Sequence, residues 1–195
     1  MKMSHQTSLA IWDVPSPLVR HRASKLKVGV KCSAGCCLTG QSIEIRDEAG
    51  AIVTGGELER NPWHGTSALY WAEVEVPDPA HEGTCSWSAQ FMPTGALAAH
   101  EGASLGFNLL VVKPPEHGVL VRVIEKDTRA GLENAEVRLG VYKARSDRSG
   151  CARMEVPTGT YHLDAWKPGY QAAAKSVDVA GNVTVQLEVA AVPEA

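Results

Sequence analysis

The chain has 195 residues, 44% hydrophobic and 21% charged, with 19 Lys and Arg against 22 Asp and Glu for a formal net charge of −3. That length and apolar content suffice for one large core or two small ones, and the scattered charges exclude the basic stripe a nucleic-acid partner requires. No apolar run approaches the roughly 20 residues of a membrane-spanning helix, so no membrane insertion is expected.

The opening stretch MKMSHQTSLAIWDVPSP has no apolar core of the kind a secretory leader carries, and Pro15 and Pro17 interrupt it. With an odd count of five cysteines, the expectation is free thiols in a reducing compartment, the cytoplasm. From KLKVGVK onward, apolar residues recur with period two between Gly, Pro, Asn and Asp clusters, which is an all-β pattern. Leu26, Val28 and Val30 share one face, and Ile43 and Ile45 share another before the turn Asp47–Gly50. Tyr70, Ala72, Val74 and Val76 alternate in ALYWAEVEVP, as do Cys85, Trp87, Ala89 and Phe91 in GTCSWSAQF. GFNLLVV closes this set, giving a first domain over residues 9–112.

The paired prolines of KPPEH bar both helix and central strand, so residues 113–117 read as a short stiff linker. A second strand series follows over residues 118–190: GVLVRVIEK, AEVRLGVY, CARMEVP, TYHLDAWK, AKSVDV and VTVQLEV. The expected fold class is all-β, two tandem β-sandwich domains.

Four pieces of the second half carry a family resemblance: VRVIEKDTRAGLENAEVRL, the SDRSG turn, the VPTGTYHLDAW hairpin and PGY. In them Gly150 and Gly159 can take the positive φ of tight turns, and Asp147 can accept from backbone amides within its turn. As an ordered set they resemble the carboxypeptidase regulatory-like domain, a transthyretin-like sandwich shared with collagen-adhesin B-type repeats. The resemblance implies an accessory module without catalytic residues. Lys126 is out of step for the Lys–Asn bond of adhesin repeats, and the Tyr-Arg-Gly-Ser signature of transthyretin-like hydrolases is not matched, so neither chemistry is expected. The first half is similar, more loosely, to immunoglobulin-like or fibronectin-like sandwiches. That likeness puts Cys85 at a tyrosine-corner position and Trp87 in the core, and it allows a Cys32–Cys85 inter-sheet pair.

The thiols crowd into VKCSAGCCLTG, where Cys32, Cys36 and Cys37 have C-x3-C-C spacing. Zinc takes four tetrahedral ligands from thiolate or imidazole, so the stretch is one ligand short, and Cys85, His21 or His64 would have to supply it across the sheet. Adjacent Cys36 and Cys37 point to opposite faces of a strand, so both reach one ion only if the chain turns there. Two readings compete with metal: a redox or disulfide role, and buried or turn thiols with no chemistry, which are common because free Cys is among the most buried residue types. The seven histidines form no H-x-H or H-E-x-x-H pair, which leaves only long-range convergence, such as His64, His81 and His100 on loops. No nucleophile elbow, phosphate loop or dinucleotide fingerprint appears, so neither an enzyme nor a cofactor is expected.

Aromatic residues give the other candidates. Trp166 alternates against the inward set Tyr161, Leu163 and Ala165; Trp63 and His64 lie in the turn-like NPWHG; Trp71 shares a face with Glu73 and Glu75; Tyr170 belongs to PGY. Outward Trp and Tyr can anchor a protein interface or stack on sugar rings. The expected function is a non-catalytic interaction module, an accessory subunit or scaffold with a protein partner or larger assembly. Carbohydrate binding through the aromatics is the alternative, and a metal or redox role for the thiols is a third.

Overall fold

The computed structural model describes residues 4–79, 81–95 and 100–192. The chain divides into two compact units, Met1–Val112 and Lys113–Ala195. The first holds β1 (Thr7–Trp12), β2 (Leu18–Val19), β3 (Ser24–Cys32), β4 (Ser42–Arg46), β5 (Ile52–Glu57), β6 (Leu69–Val76), β7 (Gly83–Phe91) and β8 (Ala103–Val112). The second holds β9 (His117–Glu125), β10 (Glu136–Leu139), β11 (Tyr142–Arg145), β12 (Cys151–Val156), β13 (Gly159–Trp166), β14 (Ala173–Val179) and β15 (Val183–Val189).

In the first unit a sheet ordered β1-β3-β6 faces a sheet ordered β2-β8-β7-β4-β5. The period-two pattern explains why. Leu26, Val28 and Val30 of β3 and Tyr70, Ala72 and Val74 of β6 point inward from one sheet, and Ile43, Ile45, Trp87, Ala89, Phe91 and Leu109 meet them from the other. Each sheet has one apolar face and can hide it only against the other. Three strands escape the sequence pattern, the two-residue β2 among them. β1 lies in the stretch read for a leader, and β5 contains Gly55-Gly56, which reads as a loop. Gly55 is required there by close approach: a Cβ would sit 2.6 Å from the Ile43 carbonyl oxygen.

The second unit repeats the scheme with β11-β10-β13-β14 facing β12-β9-β15. Val121, Val123, Val137, Leu139, Leu163, Ala165 and Val179 form its centre. β15 runs parallel to β9, with Val185 opposite Val121. The segment AEVRLGVY, which alternates like one strand, is two: the chain turns at Gly140 (φ 60°) into β11. Gly150 has positive φ (79°), whereas Gly159 opens β13 opposite Val179 without it. Asp147 Oδ1 accepts from the amides of Ser149 (2.9 Å) and Cys151 (3.0 Å), closing the SDRSG turn as its side chain allows.

Among the described residues Ser146 is the buried polar side chain, 3% exposed. Its hydroxyl donates to the Leu132 carbonyl (2.6 Å) and accepts from the Ala135 amide (2.8 Å), tying the loop before β10 to the end of β11. Ser146→Ala leaves both backbone groups without that partner inside the protein. It is expected to lower unfolding stability by about 1–3 kcal/mol, read by urea denaturation.

Candidate metal centre and exposed aromatic face

β3 ends at Cys32, whose side chain is fully buried. Gly35 then takes a left-handed conformation (φ 68°), and its amide donates to the Cys32 carbonyl at 3.0 Å. A non-glycine residue is disfavoured in this conformation. The reversal returns Cys36 to Cys32 and turns Cys37 outward, where its sulfur lies 3.3 Å from Thr39 Oγ1. Hydrogen bonds with the Thr39 hydroxyl, the Tyr70 hydroxyl and the Thr39 amide bring the pKa of the exposed Cys37 thiol down to about 7.

The N-terminal strand supplies what the turn lacks. β1 pairs antiparallel with β3 so that Thr7 lies opposite Cys32, and the Ser33 amide donates to the Gln6 carbonyl at 2.9 Å. His5 therefore sits just beyond the strand end, beside the thiol turn, with Nδ1 3.2 Å from Cys36 Sγ. On its other side His5 forms an isolated parallel bridge to His100, and the Glu101 amide donates to the His5 carbonyl at 2.8 Å. Thr7 Oγ1 donates to the Glu101 carbonyl at 2.6 Å. The two imidazoles meet edge to face, centroids 4.9 Å apart and planes at 87°. One ligand atom from each of His5, Cys32, Cys36 and His100 lies within 4.8 Å of every other. Cys32 is buried and the other three are half-buried.

Burial alone would raise the Cys32 thiol. The amides of Cys36 and Ala34, the Cys36 thiol and the Gly35 amide outweigh it and hold Cys32 below the ordinary thiol value. The Ala34 amide is 3.4 Å from the sulfur. Cys36 moves the other way, raised by its hydrogen bond to Cys32, by burial and by the charge on Cys32.

The expected ligands fare differently. Cys32 and Cys36 converge, and Cys37 does not join them. Cys85 is buried in β7, away from this cluster, with its thiol raised by burial and by Glu48. His21 pairs with Asp78 at the surface (2.7 Å), and His64 stacks on Trp63 with ring centroids 4.7 Å apart. His100 meets His5 rather than His64 or His81. His5 was missed because its only signal is its place two residues before β1, which is informative once β1 is known to pair with β3. Cys32 and Cys85 are both free thiols.

Trp63 and Trp71 pack in a cluster with Trp12 on the outer side of the β1-β3-β6 sheet. Trp63 meets Trp12 at 5.1 Å and Trp71 at 4.9 Å, both edge to face, and Lys27 Nζ lies 5.5 Å over the Trp63 ring. All three indoles are half-buried, so most of their area serves packing. Tyr170 is half-buried against the second core, with Lys167 Nζ 5.7 Å over its ring. Trp166 differs: it is 53% exposed. Register sets it on the solvent face of β11-β10-β13-β14, where Glu136 is opposite both Trp166 and Arg145. The next row on that face is Lys143, Arg138, Asp164 and Ala174.

Residues 118–192 match the family model of the carboxypeptidase regulatory-like domain. No curated protein matches the sequence. Among solved structures the chain is similar, at 12% identity and TM-score 0.37, to the fibronectin(III)-like modules of Clostridium thermocellum CbhA, covering 92% of this chain and 95% of that one. It is similar at 10% identity and TM-score 0.33 to BcpA, the major pilin subunit of Bacillus cereus, covering 95% and 71%. The Bacillus anthracis TIE protein gives 10% identity and TM-score 0.34, with 95% of this chain covered, and the chain spans 41% of that protein's length.

Exposure orders the thiols for chemical modification. In the reduced native protein, Cys37 is expected to react first with Ellman's reagent, and Cys32 and Cys85 only on unfolding. Cys37→Ser should remove the fast phase; a fast phase that survives it would contradict this placement.

Proposed function

We propose that the chain is a non-catalytic interaction module that docks a protein partner through the solvent face of the second unit's four-stranded sheet. The observation that carries this reading is Trp166, an exposed indole opposite Glu136 on a face that also carries Arg145, Arg138 and Asp164. Trp and Arg dominate the energetics of protein interfaces, and an aromatic centre with a polar rim is the arrangement in which they do so. The face is built on paired strands, so its backbone is already ordered and little backbone entropy is lost on docking. The match of residues 118–192 to a domain described as regulatory-like supports an accessory role.

The reading is tested with the full chain as bait in extracts of its host, followed by titration of any captured protein against wild type and Trp166→Ala. Loss of a central interface Trp costs about 2 kcal/mol or more, so affinity should fall about 30-fold or more. Equal binding by both would remove this face as the docking surface. A glycan array in which Trp166→Ala abolishes a saccharide signal would assign the face to sugar instead.

A further inference from the structure

We propose that His5, Cys32, Cys36 and His100 form a closed structural zinc site that staples one end of the first sandwich. The donor set selects the ion. Two sulfurs and two imidazole nitrogens, with no carboxylate among them, suit a borderline-soft ion and not calcium or magnesium, which require oxygen. Zinc has no electronic preference that opposes a tetrahedron, whereas copper(II) favours tetragonal sites. With Zn–S near 2.3 Å and Zn–N near 2.0–2.1 Å, the ligand atoms of such a shell lie about 3.3–3.8 Å apart. His5 Nδ1 and Cys36 Sγ are already at 3.2 Å, and no pair in the cluster exceeds 4.8 Å. Closing the widest gap to shell distance therefore takes a movement of about 1 Å.

The surroundings are prepared for it. The Ala34 amide donates to the Cys32 sulfur at 3.4 Å. The backbone of His5 is fixed on both flanks, by Gln6 to Ser33 and by its own carbonyl to Glu101. Four ligands from the protein leave no open position, which makes the site structural and not catalytic. Its placement gives the purpose. Cys32 ends a strand of the three-stranded sheet, His100 leads into β8 of the five-stranded sheet, and His5 precedes the edge strand β1. One ion would join both sheets and the N-terminal segment, as an inter-sheet disulfide would elsewhere. An ion bound only by the folded form stabilises it: with free zinc at 1,000 times Kd, the folding constant rises about 1,000-fold.

The test uses the full chain without a histidine tag, reduced, stripped with a chelator and equilibrated with zinc chloride. The expected result is one zinc per chain by elemental analysis, a raised thermal midpoint, and, with cobalt(II) in its place, the visible bands of a tetrahedral ion with thiolate charge transfer. Cys36→Ser and His100→Gln should each weaken zinc binding by more than the roughly 10–100-fold that loss of a supporting bond to a ligand costs. Cys37→Ser and His64→Gln should leave it unchanged. Circular dichroism checks the fold of each variant, and if Cys36→Ser does not fold, His5→Gln and His100→Gln carry the test, since both imidazoles are half-buried. Absence of bound zinc, binding that survives both histidine variants, or loss of binding in Cys37→Ser would overturn the proposal. Stoichiometric zinc that leaves the thermal midpoint unmoved would overturn the structural role.

Discussion

The ladder between β1 and β3 fixes one end of the first unit, because its register decides what lies beyond the last paired residues. Six pairs run from Thr7 opposite Cys32 to Trp12 opposite Lys27. At one end they bring His5 to the thiol turn and to His100; at the other they bring Trp12 onto Trp63. A slip of one residue would turn Leu9 and Ile11 away from the core and move His5 from the sulfurs, so packing and ligand geometry depend on one register. That coupling explains how a segment at the start of the chain can matter to a site whose other members lie far along it.

The second unit shows the same economy with a different result. Alternation in β10 and β13 places Val137, Leu139, Leu163 and Ala165 inside at essentially no exposure, and that choice sends Glu136, Arg138, Asp164 and Trp166 outward. Burial of the inner set supplies most of the driving force, of the order of 1.5–3 kcal/mol for each large apolar side chain. Little stability is gained by an indole on the wet side. Trp166 is therefore an indole whose presence the packing of this sheet does not explain, in contrast to Trp12, Trp63 and Trp71, which cover one another.

Much of the architecture was readable from period two alone. Leu26, Val28, Val30, Ile43, Ile45, Tyr70, Val74, Trp87 and Phe91 are all buried as their alternation requires, and the all-β class follows from them. What failed was local and has physical causes. Gly140 breaks a continuous alternation into two strands because a single positive φ reverses the chain, and no hydrophobic pattern records that. β5 hides behind two glycines that close packing demands. The thiol stretch was legible in part: adjacent Cys36 and Cys37 were expected to point apart unless the chain turned to bring both to one ion, and they do point apart, Cys36 toward Cys32 and Cys37 toward Thr39. The partners were not legible, because His5 and His100 come together through sheet pairing and not through spacing, and sequence distance carries no trace of such a contact. Among the aromatics, outward alternation marked Trp166 correctly, while the mutual packing of Trp63 and Trp71 needed Trp12, a residue of the strand that went unread.

The two features thus divide between the units: an inward-facing cluster of soft ligands in the first and an outward-facing indole in the second. The first is the sharper physical claim, since it specifies an element, a ligand set and a geometry together. X-ray absorption spectroscopy at the zinc edge, on the zinc-loaded full chain, tests it most directly. The account predicts two sulfurs at about 2.3 Å and two imidazole nitrogens at about 2.0–2.1 Å. A shell made only of nitrogen and oxygen, or one with three or more sulfurs, would contradict it.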